Sequence, residues 1–269
     1  MHKIILILAA PLCFYFPLAN AMVINSTGTA VLEDFSGFTG SGFQSMPAAG
    51  QLDSDVWRVT GLSDGDGSFG ATHLSGDFAR GTSSGAVSGG GVWGFDVDNG
   101  AGVNRALGVQ PTGSDFSPGS ISLRVTNATG NALTSLLVSY DIFVLNDAAR
   151  SSSFNFSYSL DDSAYMAVPA NDLVSNGAAD SVPEWSQNSF STLLTGLNIL
   201  DSTPLYLQWS SNDAGGSRSR DQFALDNISI TGFSENLTAV PEPEAWVLMA
   251  LGLLAMAVNI RGGRFKRFG

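Results

Sequence analysis

Two segments, residues 134–146 and 153–161, carry apolar residues at period two, and this alternation constrains the fold more than any other feature. In TSLLVSYDIFVLN, Leu136, Val138, Tyr140, Ile142 and Val144 fall on one side. In SFNFSYSLD, Phe154, Phe156, Tyr158 and Leu160 face one way, and Asn155, Ser157 and Ser159 the other. Shorter versions are PLYLQW (Leu205, Leu207, Trp209) and SISLRVTN (Ile121, Leu123, Val125). Successive side chains of a strand point to opposite faces, so each segment predicts a strand with one buried face.

Turn clusters such as SDGDGSFG, TSSGAVSGGG, NATGN and NDAGGSRSRD separate these segments, and no helical periodicity is sustained between residues 22 and 238. Gly, Asn and Asp in such clusters supply positive φ or local side-chain hydrogen bonds. Short strands so punctuated, without βαβ alternation, predict an all-β fold, an antiparallel two-sheet sandwich of the jelly-roll kind. The stretch 61–91, rich in Gly and Ser, reads either as a long loop or as a set of tight turns. The strands share enough apolar surface for one core, so residues 22–238 are expected to form a single domain.

The two ends read differently. Residues 1–21 combine Lys3, an apolar stretch from Ile4 to Leu18 and the small-residue pattern Ala19-Asn20-Ala21. They are read as a secretory signal cut after Ala21. Residues 245–260 are an uncharged run, expected to form a single hydrophobic helix of roughly 24 Å, which spans a bilayer with local thinning. The basic residues Arg261, Arg264, Lys266 and Arg267 that follow would stop transfer and stay in the cytoplasm, leaving the body outside.

Composition narrows the chemistry. The chain has a formal net charge of −12, which disfavours binding to a nucleic-acid backbone. Its one cysteine, Cys13, lies in the signal, and so does His2, which leaves His73 as the body's only histidine. No lysine lies between the end segments. Disulfides, thiol nucleophiles, Cys-ligated zinc and Schiff bases are thereby excluded from the body. His73 has Asp77 nearby in sequence, but no G-x-S-x-G elbow accompanies it. The expectation is a protein without enzymatic activity.

Three sets of residues remain as candidate sites. Asp64 and Asp66 in LSDGDGSFG can present carboxylate oxygens to a hard cation such as Ca²⁺, or simply form a turn. If the first and last strands lie side by side, Glu33 or Asp34 comes near Asp226 and Asn227. A structural Ca²⁺ would then neutralise them; the plainer reading is a strand-edge turn with separated neighbours. Among the aromatic residues, Trp185, flanked by polar residues, is the best candidate for an exposed platform under a sugar ring, with Tyr165 a second.

Pro241-Glu242-Pro243, the apolar run from Ala245 and the basic tail from Arg261 together resemble the PEP-CTERM sorting signal of exopolysaccharide-producing Gram-negative bacteria. The resemblance covers residues 239–269. It implies transient residence in the inner membrane, recognition by an exosortase-type membrane protease, cleavage near Pro241-Glu242-Pro243, and delivery to the cell surface or extracellular matrix. The tail RGGRFKRFG is looser than a tight arginine block. Segments of the body, among them GDFARGTSSGAVSGGGVWGFDV and SRDQFALDNISITG, resemble an all-β module of large secreted bacterial proteins. These resemblances imply an exported structural or adhesive protein of an exopolysaccharide matrix. The alternatives are a carbohydrate-binding module for exopolysaccharide and, after it, a carboxylate-dependent secreted hydrolase.

Overall fold

The structure, a computed structural model, describes residues 22–234. The expected signal peptide, the Pro-Glu-Pro segment, the hydrophobic helix and the basic tail lie outside the described residues. Among the described residues, no helix is long and apolar enough to cross a membrane.

The body is all-β, with two seven-stranded sheets. The first contains, in spatial order, β1 (Val23–Ile24), β9 (Gly119–Asn127), β15 (Pro204–Gly216), β11 (Arg150–Ser159) and β12 (Met166–Ala167). In addition, β5 (Trp57–Thr60) pairs with β9, and β13 (Leu173–Val174) with β11. The second runs β14 (Trp185–Ile199), β10 (Leu133–Leu145), β16 (Gln222–Phe233), β8 (Arg105–Gln110), β7 (Gly91–Asp96) and β6 (Thr82–Ser83), with β2 (Ala30–Glu33) also on β16. A small separate pair joins β3 (Phe38–Gln44) to β4 (Gly50–Asp53). The long pairings are antiparallel, as the alternation predicts. Three short ones, β1 with β9, β3 with β4 and β6 with β7, are parallel.

The alternating residues form the core between the sheets. Ile121, Leu123, Phe154, Phe156, Leu207 and Trp209 of the first sheet pack in one buried cluster with Leu136, Val138, Ile142, Leu225 and Ile230 of the second. Tyr140 meets Trp209 edge-on at 5.2 Å between ring centroids, and Phe154 stacks on Phe223 at 5.2 Å. Such ring pairs add to the apolar burial that drives the sheets together.

The second sheet also carries a core on its outer side. Phe95, Val97, Ala106, Phe143, Leu145, Trp185 and Ala224 form a second buried cluster, with Val87 and Trp93 packed against it. The period-two pattern in β10 shows only half of this, because Phe143 and Leu145 occupy positions that an ordinary sandwich leaves to solvent.

The stretch 61–91 is a set of tight turns tied down by carboxylates. Asp77 accepts from the Ser63 hydroxyl at 2.6 Å and the Asp64 amide at 3.0 Å, and pairs with Arg80. Asp115 accepts from the Ser63 amide at 2.8 Å. Close backbone approaches need glycine here: a Cβ on Gly40, whose φ is +64°, would stand 2.1 Å from the Gly81 carbonyl oxygen.

Candidate functional site

Strand β2, which carries Glu33, does pair with β16, the last strand among the described residues, whereas the first strand, β1, pairs with β9 in the other sheet. In the β2–β16 pairing Glu33 lies opposite Ile228. The register of β16 on β10 shifts between Ser139 and Asp141, and Asn227 takes a left-handed φ of 51° at that bulge. The bulge turns Asn227 back on β10, where its amide donates to Asp141 at 2.7 Å. Ser189 donates to the other oxygen of Asp141 at 2.6 Å.

Asp226 is fully buried. One of its oxygens accepts the Asn227 amide at 2.8 Å, while Oδ2 has no hydrogen-bond partner among the described residues. Burial pushes its carboxyl up to about 7; the Asn227 amide and the Asn104 side chain partly offset this, and the charges of Asp141 and Asp34 add to it. Glu33 is raised, chiefly by burial, and turns onto the Phe35 amide at 3.1 Å. Asp34 is lowered by the Ser36 amide, which it caps at 3.0 Å. Among the described residues no group of three or more His, Cys, Asp or Glu side chains is placed to hold a metal ion.

Asp64 and Asp66 serve different backbone amides. Asp64 Oδ2 accepts from Asp77 at 2.8 Å, and Asp66 Oδ1 from Gly61 at 2.6 Å. His73 lies face to face with Phe78, 4.1 Å between ring centroids, and its backbone bridges Phe43.

Trp185 is not the exposed platform that its polar flanks suggest. It is 6% exposed, its indole donates to the Ser84 carbonyl at 2.8 Å, and its ring packs on Phe95 at 5.1 Å. The loops on either side of β7 supply Ser84 and Asn99 to Trp185, so polar sequence neighbours surround a buried ring. Tyr165 has a different setting, bonded to Asp162 beside Arg58 on a polar surface.

That surface is the outer face of the first sheet. Strand register puts its outward residues into cross-strand rungs. Arg58, Ser122, Gln208 and Ser157 make one, Thr60, Ser120, Ser210 and Asn155 the next, and Arg124, Tyr206 and Ser159 a third. Gln208 donates to Ser122 at 3.2 Å, and Thr60 bonds Ser120 at 2.8 Å. The alternation that makes Leu123, Leu207 and Phe156 core leaves this opposite row polar.

Two connecting segments rim the face. From the turn after β11, Asp162 holds Arg58 by two bonds of 2.7 Å each, and Tyr165 donates to the same carboxylate at 2.6 Å. Burial alone would lower Arg58; its bonds to Asp162 raise it instead, so the guanidinium stays charged. From the 61–81 segment, Phe69 lies beside Tyr206 at 5.7 Å, with Arg58 over its ring at 4.5 Å and Arg124 at 5.3 Å. Phe69, Tyr165 and Tyr206 are each half-buried. Arg58 Nε, a donor, and Asn155 Oδ1, an acceptor, have no partner among the described residues.

Sequence reasoning missed Phe69, Arg58 and Asn155. The available signal was the row of polar residues at outward positions of strands whose inward positions are aromatic or branched.

Residues 239–264 match the protein-family description "PEP-CTERM protein-sorting motif". The chain carries a PEP-CTERM sorting motif. Pro241, Glu242, Pro243, Arg261 and Arg264 fall inside the matched span of that motif, and Lys266 and Arg267 follow it. The PEP-CTERM motif implies export and processing by exosortase, a membrane protein. No curated protein matches the chain.

Among solved structures the PEP-CTERM chain is similar to an arabinose-bound α-L-arabinofuranosidase, MgGH51, at 12% identity and a TM-score of 0.35. That match covers 54% of this chain and only 22% of the other. It is also similar to the K3 cleaved adhesin domain of Lys-gingipain from Porphyromonas gingivalis w83, at 11% identity, covering 75% and 98%, with a TM-score of 0.34. A third is the CBM22-1 xylan-binding domain from Paenibacillus barcinonensis Xyn10C, at 8% identity, covering 78% and 98%, with a TM-score of 0.35.

Proposed function

We propose that this is a surface or extracellular-matrix protein, sorted through its PEP-CTERM motif, whose adhesive role is exercised by binding matrix polysaccharide on the outer face of the first sheet. It acts by binding rather than by catalysis.

The observation that supports this reading is the composition of that face. Ser120, Ser122, Ser157 and Ser159 of these rungs are buried, but the partly exposed Thr60, Asn155, Gln208 and Ser210 suit the hydroxyls of a sugar chain, and the partly exposed rings at the rim suit the apolar faces of pyranose rings. Arg58 Nε and Asn155 Oδ1 are buried beneath this face without a partner among the described residues, and a shift of the rim side chains would bring them to a ligand. A buried polar atom without a partner costs free energy, and a ligand hydroxyl would relieve that cost. The Asp162–Arg58–Tyr165 contacts fix the rim before a ligand arrives, which lowers the entropy lost on binding.

The test is retention of the exported protein on columns of the host's exopolysaccharide. Retention that falls at least tenfold in Tyr206→Ala and in Asn155→Ala, with unchanged circular dichroism, supports the reading. Equal retention of both variants and wild type, or no retention of the wild type on any glycan, removes it.

A further inference from the structure

An edge of the second sheet, formed by a strand that contributes nothing to the glycan face of the first sheet, is built as though it had a partner. Strand β14 is 15 residues long and forms that edge, hydrogen-bonded only to β10 within the sheet. Its sequence, WSQNSFSTLLTGLNI, contains no charge and no proline. Soluble proteins usually protect a long edge with a charge, a proline, a bulge or a covering loop, because an open row of N–H and C=O groups recruits another strand.

One end of this edge is protected. The Trp185 amide donates to Asn99 Oδ1 at 2.7 Å, and its carbonyl accepts from Asn99 Nδ2 at 3.0 Å. Trp185 therefore points its backbone groups away from β10. The register then runs without a shift from the Leu145–Trp185 pair to the Ser135–Thr195 pair. In an antiparallel ladder the outward residues alternate, so Gln187, Ser189, Ser191, Leu193 and Thr195 also present their backbone groups outward. Among the described residues nothing bonds to them. Leu193 and its cross-strand neighbour Leu137 add an exposed apolar pair beside this row, 41% and 37% exposed.

The geometry points to a second copy of this chain as the occupant: β14 pairs antiparallel with β14 of the partner subunit about a two-fold axis at Ser191. That axis centres the open stretch. It sets Gln187 opposite Thr195 of the partner subunit and Ser189 opposite Leu193 of the partner subunit. Although the chain is strongly acidic overall, no charge lies on the strand, so the pairing brings no like charges together. The other end of the sheet favours the same arrangement. It is the two-residue β6, held parallel on β7, which is too short to receive β14. Head-to-tail growth is thereby blocked, and the two-fold pairing closes on itself, using up both open edges. The result is one continuous sheet through two bodies, with the two glycan faces left free.

The experiment uses the full chain produced in an exporting host and recovered as the exported protein. The body has no cysteine, so Ser191→Cys gives a single thiol. In a hydrogen-bonded antiparallel pair the two Cα atoms stand about 5.5 Å apart, within disulfide range. The expected result is a dimer by sedimentation for wild type, and rapid disulfide-linked dimer for Ser191→Cys under mild oxidation. Ser210→Cys, on the outer face of the first sheet, should link at least tenfold more slowly. Ser191→Lys should raise the dimer dissociation constant tenfold or more, whereas Ser191→Thr keeps the dimer and controls for folding. A wild-type monomer at every concentration overturns the proposal, as does linking of Ser191→Cys no faster than Ser210→Cys. So does a cross-link to a protein of another mass. Glycan retention by Ser191→Lys at the wild-type level would show that loss of the dimer and loss of the glycan reading are separate outcomes.

Discussion

Asp226 stands directly across from Asp141 on the neighbouring strand, two carboxylates in register that Asn227 bridges, its side chain donating to Asp141 and its backbone amide to Asp226. The Asn227 amide serves Asp141, and burial raises Asp226 to about 7 from its ordinary value of 3.8. Because the folded state holds this proton more tightly than the unfolded state, the group's contribution is fully present below about pH 4. It is lost as pH rises through about 7. A shift of this size corresponds to roughly 4 kcal/mol. Asp221, also fully buried and raised by burial to about 6, with Asp147 and Asp180 adding to it, acts in the same direction. Urea denaturation is therefore expected to give lower stability at pH 8 than at pH 5. Asp226→Asn should stabilise the protein most at pH 8, with the gain shrinking toward pH 4. A pH-independent effect of that substitution would contradict this account.

Trp185→Ala should unfold the protein more readily rather than merely weaken a ligand site. The ring fills the second core against Phe95 and Leu145, and its indole satisfies the Ser84 carbonyl. Removing a buried tryptophan costs about 3–5 kcal/mol. The thermal midpoint should fall by many degrees, while the surviving folded fraction keeps its retention on polysaccharide.

The contrast between Trp185 and Tyr206 shows what the sequence made legible. Period two identified the core strands, because a one-residue slip would move every Phe of β11 to solvent, but it also placed Leu160 on the buried face, whereas Leu160 lies past the end of β11 and is 41% exposed. It also implied the polar face, since Gln208 and Asn155 must point away from Trp209 and Phe156. It could not show that the loops on either side of β7 cover Trp185, because that burial depends on contacts far apart in sequence. Nor could it show that Asp162, three residues past the end of β11, reaches Arg58 across 104 positions. The pairing of Glu33 with the strand carrying Asp226 was anticipated from the sandwich's closure, but not the bulge at Asn227, which redirects the side chains there.

Asp162→Ala should separate positioning from stability. The carboxylate holds both the Arg58 guanidinium and the Tyr165 hydroxyl, and is about one-fifth exposed, with a side-chain exposure of 22%. A pair this close to the surface contributes on the order of 1 kcal/mol to folding. Polysaccharide retention should fall about tenfold, because the rim loses both orienting contacts, while the thermal midpoint moves by only a few degrees. Asp162→Asn, which keeps hydrogen-bond acceptance but not charge, should fall between wild type and Asp162→Ala. A loss of stability equal to that of Trp185→Ala would instead make Asp162 a structural residue.

The sorting motif makes a prediction about mass. A span ending in Arg261 and Arg264 is expected to hold the precursor, and the Pro241-Glu242-Pro243 segment, restricted by its prolines, to keep the cut site extended. Intact-mass spectrometry of the native host's extracellular fraction should find a chain that begins after Ala21 and ends near Pro243. Changing Pro241, Glu242 and Pro243 to alanine should leave the body in the membrane fraction with Arg261 to Gly269 attached. Because the body's core closes by Ser234, the β-sheets should be unaffected by that change, and circular dichroism of the two forms should agree. A wild-type extracellular mass that includes Gly269 would mean that the tail is kept on export and that the protein reaches the matrix without the cut.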